Sequence, residues 1–153
     1  MRDGANGGLG SAFVRAALDR GAARVCAAAR KAKDWGGERV VTVELDLADQ
    51  GSIARAAGKR GDTTILVNNA VIFPHNDLLT VPIEQIEEMF EANLPGPLVL
   101  ARELAPALRT ANGALLNVGP AGEREVFATE MTKKVHAGLA ADVTALCPVL
   151  AGA

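Results

Sequence analysis

Short apolar runs recur along this chain, and between them the hydrophobic spacing widens to every third or fourth residue. The runs at 24–29, 40–45, 64–68, 114–118 and 143–147 are rich in Val, Leu, Ile and Ala and hold few polar side chains. A strand with one wet face alternates apolar and polar residues, whereas near-continuous runs of this length suit strands covered on both faces. Leu9, Phe13, Ala16, Ala17 and Arg20 fall at helical spacing and stop at Gly21, a suitable C-cap. Ile83, Ile86, Phe90 and Leu94 trace a second stripe, with Glu84, Glu87, Glu88 and Glu91 turned to water. Pro95 and Pro97 interrupt it. Leu98, Ala101, Ala105 and Leu108 open a third stripe, and a weaker helical pattern covers 123–140. Strands alternating with helices imply right-handed crossovers and a parallel sheet. The pattern predicts an α/β, doubly wound fold.

The length of 153 residues fits a single domain over 1–153. Hydrophobic residues make up 49% and aromatics 3%, so the core must be built from small aliphatic side chains. A formal net charge of -2 supplies no broad positive field, which argues against a nucleic-acid partner. Cys26 and Cys147 each lie in an apolar stretch, which predicts two buried free thiols in a reducing cytoplasm rather than a disulfide. No apolar run approaches the roughly 18–20 residues of a membrane span, and the opening residues lack the apolar centre of a signal peptide. A soluble cytoplasmic protein without membrane contact is expected.

Gly4-Ala5-Asn6-Gly7-Gly8-Leu9-Gly10 stands directly before the first helix. Glycines allow a sharp turn and leave room for a diphosphate against the backbone, while the helix behind them aims unpaired amides at it. A glycine cluster alone is equally compatible with a flexible surface loop; the helix and strand that follow favour the phosphate reading.

Gly4-x-x-x-Gly8-x-Gly10 resembles the TGxxxGxG turn of the short-chain dehydrogenase/reductase family, with Asp3 in place of its threonine. Leu45-Asp46-Leu47 resembles that family's acidic residue beside the adenine ring. Asn68-Asn69-Ala70-Val71 is similar to its NNAG segment, with Val71 replacing glycine. Asn93-Leu94-Pro95-Gly96-Pro97 is similar to its NxxGP stretch, whose asparagine supports a proton relay. Asn117-Val118-Gly119 resembles the end of its fifth strand, and Cys147-Pro148 the proline that closes over nicotinamide. The matches keep the family's order from residue 4 to residue 148. The resemblance implies a Rossmann-like sheet and a dinucleotide held by Gly4, Asn6, Gly8, Leu9, Gly10, Asp46, Leu47, Asn69, Ala70 and Pro148. Arg30 ends the strand where a carboxylate would take a ribose hydroxyl pair; arginine, with Lys31 beside it, suits a 2′-phosphate instead and points to NADP(H). The alternative for Arg30 is a solvated side chain at a strand end.

The family's catalytic pattern is broken. Its tyrosine handles the proton at the substrate oxygen, a lysine four residues later lowers the tyrosine's pKa, and a serine steadies the carbonyl. This chain contains no tyrosine, and the serine position falls at Gly119 or Pro120. Aligning Phe127 with the tyrosine puts Met131 at the lysine position, and recovering Lys133 puts Thr129 at the tyrosine position. Substitute acids or bases are Lys133, Lys134, His136 and Glu130, although the lysines also suit a solvated helix face and His136 a surface site. His75 lies where the family's substrate loop runs. The catalytic candidates are Asn93, Phe127, Lys133 and His136; no metal ligand set is expected.

Only three residues precede Gly4, where the family places a central strand, and the chain stops at Ala153 before the family's last strand. The expected sheet is therefore incomplete, with three outcomes: the strands at 24–29 and 64–68 pair directly, a partner chain fills the gap, or the phosphate site is distorted. A homo-oligomer, with or without exchanged segments, or a rearranged set of strands is favoured over an intact nucleotide fold. The functional expectation is an NADP(H)-dependent oxidoreductase acting on a small carbonyl or alcohol. The alternatives are a catalytically silent nucleotide-binding or scaffolding protein, or a non-redox cyclase, dehydratase or isomerase.

Overall fold

The computed structural model describes residues 4–31, 33–73 and 79–118. A 3-10 turn, Gly4–Asn6, leads into α1 (Gly8–Asp19), followed by β1 (Val25–Ala29), β2 (Val40–Glu44) and α2 (Gln50–Ala57). Then come β3 (Ile65–Asn68), α3 (Ile83–Asn93), α4 (Pro95–Thr110) and β4 (Ala114–Asn117). Four of the five apolar runs form strands; the run at 143–147, with Cys147, and the helical pattern at 123–140 lie outside the described residues. Cys26 is a free thiol but exposed rather than buried, because alternate residues of β1 turn to opposite faces and the buried ones are Ala27 and Ala29.

Both strand pairings are parallel. β1 lies beside β2 in register from Val25↔Val40 to Ala29↔Glu44, and β3 beside β4 from Ile65↔Ala114 to Asn68↔Asn117. Among the described residues β1 and β3 share no ladder, so direct closure of those two strands does not occur. The two strand pairs are joined by packing instead. Val43 and Leu45, at the end of β2, bury against Ile53, Ala56 and Ala57 of α2 and Leu100 and Leu104 of α4; Leu66 of β3 and Leu108 of α4 pack on the same cluster. Small alanines let α2 and α4 approach closely, and each fully buried aliphatic side chain contributes about 1.5–3 kcal/mol.

Three helical details depart from the spacing argument. α2 has no long apolar stripe to announce it: its buried face is Ser52, Ile53, Ala56 and Ala57. What starts it is Asp49, whose carboxylate accepts the Gly51 N–H at 2.8 Å as an N-cap. The prolines after Leu94 begin a helix rather than interrupt one, since Pro95 occupies the first turn of α4, where a missing N–H costs nothing. The apolar stripe of α3 does not face the core either. Ile83 is 60% exposed and Phe90 46% exposed, and the buried residue of α3 is Ala92.

Candidate functional site

The Gly4–Asn6 turn is fastened from three directions. Asn6 Nδ2 donates to Lys31 O at 2.8 Å, beyond the end of β1, and Asn69 Nδ2 donates to Gly4 O at 3.3 Å, from the end of β3. Ser11 Oγ, on α1, donates to Ala5 O at 3.2 Å. The turn therefore sits between the carboxyl ends of β1 and β3, where ligands bind in open parallel sheets.

Two of its glycines are required by shape. Gly4 has φ +39°, and a Cβ there would lie 2.6 Å from Ala28 O. At Gly10 a Cβ would run into Gly4 O and lie 2.8 Å from Ala5 Cα. Gly8 is different: a Cβ there would meet nothing within 4 Å, so space is open in front of the first turn of α1. No side chain caps that helix, and its first bonded amide is Ser11 N–H, which donates to Gly7 O at 2.8 Å. The amides of Gly8, Leu9 and Gly10 come before it and carry the positive end of the helix dipole. A diphosphate fits this combination of open space and unbonded amides.

A shallow cleft of about 50 Å³ opens beside the turn, lined by Gly4, Ala28–Arg30, Leu45–Leu47, Ala70–Ile72, Ala92 and Asn93. Asp46 is fixed twice: its N–H donates to Ser52 Oγ at 3.0 Å, and its Oδ1 accepts Ala48 N–H at 3.0 Å. Leu47 and Ala70 line the same cleft. Asn93 brackets the backbone of Ile72, accepting its N–H at 2.8 Å through Oδ1 and donating to its O at 2.7 Å through Nδ2. That arrangement makes Asn93 a positioning residue for the cleft wall. At the ends of β3 and β4, Asn68 Nδ2 donates to Asn117 Oδ1 at 2.9 Å. Arg30 Nη1 lies 3.6 Å from Glu88 Oε1 on α3.

The structure thus gathers Gly4, Arg30, Asp46, Leu47, Ala70 and Asn93 around one cleft, with Asn6 and Asn69 fastening the turn and Gly8, Leu9 and Gly10 opening α1. His75, Phe127, Lys133, His136 and Pro148 lie outside the described residues. Sequence reasoning missed Ser52, whose hydroxyl sits on an unforeseen helix. Glu88 is solvent-exposed, as its place opposite the apolar stripe predicts, but its pairing with Arg30 was not foreseen. An i, i+4 relation to Ala92 was the available signal for Glu88. Among the described residues no helix is long and apolar enough to cross a membrane, and no group of three or more His, Cys, Asp or Glu is placed to hold a metal ion.

Comparison with known proteins points the same way. The family model described as short chain dehydrogenase matches residues 3–132. The chain is similar to sorbitol dehydrogenase of Cereibacter sphaeroides, at 31% identity over 110 residues, covering 66% of this chain and 43% of that protein. It is similar to L-xylulose reductase of Bos taurus, at 34% identity over 122 residues, covering 75% and 50%. Half or less of each relative's length is therefore spanned. Among solved structures, a short chain dehydrogenase from Burkholderia cenocepacia J2315 in complex with NADP superposes with a TM-score of 0.75 at 34% identity, covering 92% of this chain and 65% of that one.

Proposed function

Because this chain belongs to the short chain dehydrogenase family, we propose that its cleft binds NADP(H) and that it serves an oxidoreductase acting on a small carbonyl or alcohol. One observation carries the reading: the fastened Gly4–Asn6 turn stands in front of an uncapped α1 with open space at Gly8. The amides of Gly8, Leu9 and Gly10 hold the diphosphate, Arg30 takes the 2′-phosphate and Asp46 lies beside the adenine. When bound, the coenzyme supplies hydride exchange with a carbonyl carbon. The chain's own residues bind and orient it, and Asn93 keeps the Ile72 segment in place. Similarity to a sorbitol dehydrogenase and an L-xylulose reductase supports polyols and ketoses as the first substrates to test.

A second reading, nucleotide binding without turnover, is favoured by one fact: the chain contains no tyrosine. A positioned acid or base typically supplies about 10²–10⁴-fold in rate, so its loss slows reduction without abolishing it. Titration with NADPH, followed by its fluorescence, should saturate, and a panel of ketoses, ketones and quinones should then oxidise it slowly. Absence of saturable binding rejects the proposal. Saturation with no oxidation by any member of the panel selects the second reading.

A further inference from the structure

Arg30 is already engaged before any ligand arrives. Its guanidinium lies 3.6 Å from the carboxylate of Glu88, and the two side chains are 27% and 47% exposed. They come from different walls: Arg30 follows β1, and Glu88 is on α3 one turn before Ala92, which lines the cleft. Residues four apart share a helix face, so Glu88 stands on the cleft side of α3. The ion pair therefore ties the end of β1 to α3 beside the cleft. Of the other basic side chains after β1, Lys33 is occupied over the Trp35 ring at 4.4 Å.

We propose that Glu88 is a specificity-determining residue for the coenzyme, competing with the 2′-phosphate for Arg30. A 2′-phosphorylated nucleotide must displace the carboxylate and bring its own negative charge beside it. A nucleotide with a free 2′-hydroxyl needs neither. The pair thus holds down the preference that Arg30 alone would confer, and it tunes selectivity rather than creating the site. The inference rests on the NADP(H) reading above.

The test uses fragments of the adenine end, 2′,5′-ADP and 5′-AMP, titrated by calorimetry against the whole chain. Glu88→Gln should tighten 2′,5′-ADP by about two- to fivefold, the worth of releasing an exposed ion pair, and change 5′-AMP by less than about twofold. Glu87→Gln removes the same charge from α3 at the neighbouring position and should leave the ratio of the two affinities unchanged. In an Arg30→Ala background the gain from Glu88→Gln should vanish. Unchanged or weaker 2′,5′-ADP binding in Glu88→Gln overturns the proposal, as does an equal gain for 5′-AMP, an equal gain in Glu87→Gln, or a gain that survives Arg30→Ala. If the unaltered chain binds neither fragment, the NADP(H) reading falls and this inference with it. If it binds 2′,5′-ADP and only the Glu88 response fails, the reading stands and the inference alone is lost.

Discussion

The two rims of the cleft are made of different chemistry. On the β1 and β2 side stand charged groups, Arg30, paired with Glu88, and Asp46, bonded to Ser52 and Ala48, both partly open to solvent. On the β3 side stand amides: Asn68 bonds Asn117 across the strands, Asn69 holds Gly4 O, and Asn93 brackets Ile72. An amide carries a donor and an acceptor on one rigid plane, so it can satisfy a backbone N–H and C=O together. Charges attract a ligand over distance but are screened and easily exchanged. On the proposed reading one rim would select what enters, while the other holds the walls in place through its amide bonds.

Four substitutions probe that division, and they rank by expected effect. Gly10→Val drives a side chain into Gly4 O and Ala5, main-chain atoms that cannot swing aside. It should cost upwards of about 2 kcal/mol in stability and abolish NADPH binding, read by urea unfolding and fluorescence titration. Asn93→Ala strips the partners from both polar groups of Ile72, so urea unfolding should show a loss of about 2 kcal/mol. A loss confined to coenzyme affinity, with stability intact, would show that this rim contacts ligand rather than shaping the wall. Arg30→Asp reverses the charge on the selecting rim and should weaken NADPH about tenfold or more while changing NADH far less. Equal losses for both coenzymes would erase the contrast between the rims. Ser52→Ala removes the acceptor of the Asp46 N–H and should cost about 1 kcal/mol by thermal unfolding, with a slight drop in nucleotide affinity.

The turn was legible because its demands are local. Gly4 and Gly10 are set by a positive φ and by close approach of neighbouring backbone, and the helix that follows is marked by its own spacing. α2 was not legible, because eight residues whose one large apolar side chain is Ile53 carry too little periodicity; only the Asp49 cap marks its start. The stripe of α3 misled for a different reason. Its larger apolar residues, Ile83 and Phe90, are exposed, and the contact that buries the helix is made by Ala92, the least conspicuous member. Asn93 was noticed as part of a motif, but its reciprocal bonds to Ile72 have no sequence signature.

By themselves, the apolar runs and the glycine spacing determined the four described strands, their parallel sense, the first helix and the glycine turn before it. These rest on interactions within a turn of helix or a few residues of strand, which composition and spacing encode directly. Tertiary structure alone decided that Asn69 reaches Gly4 across 65 positions, that Asn93 fastens Ile72 across 21, and that Glu88 meets Arg30. Such pairings depend on how α3 and the strand ends are set by the α2–α4 core. A side chain's partner follows from packing, which no short window of residues contains.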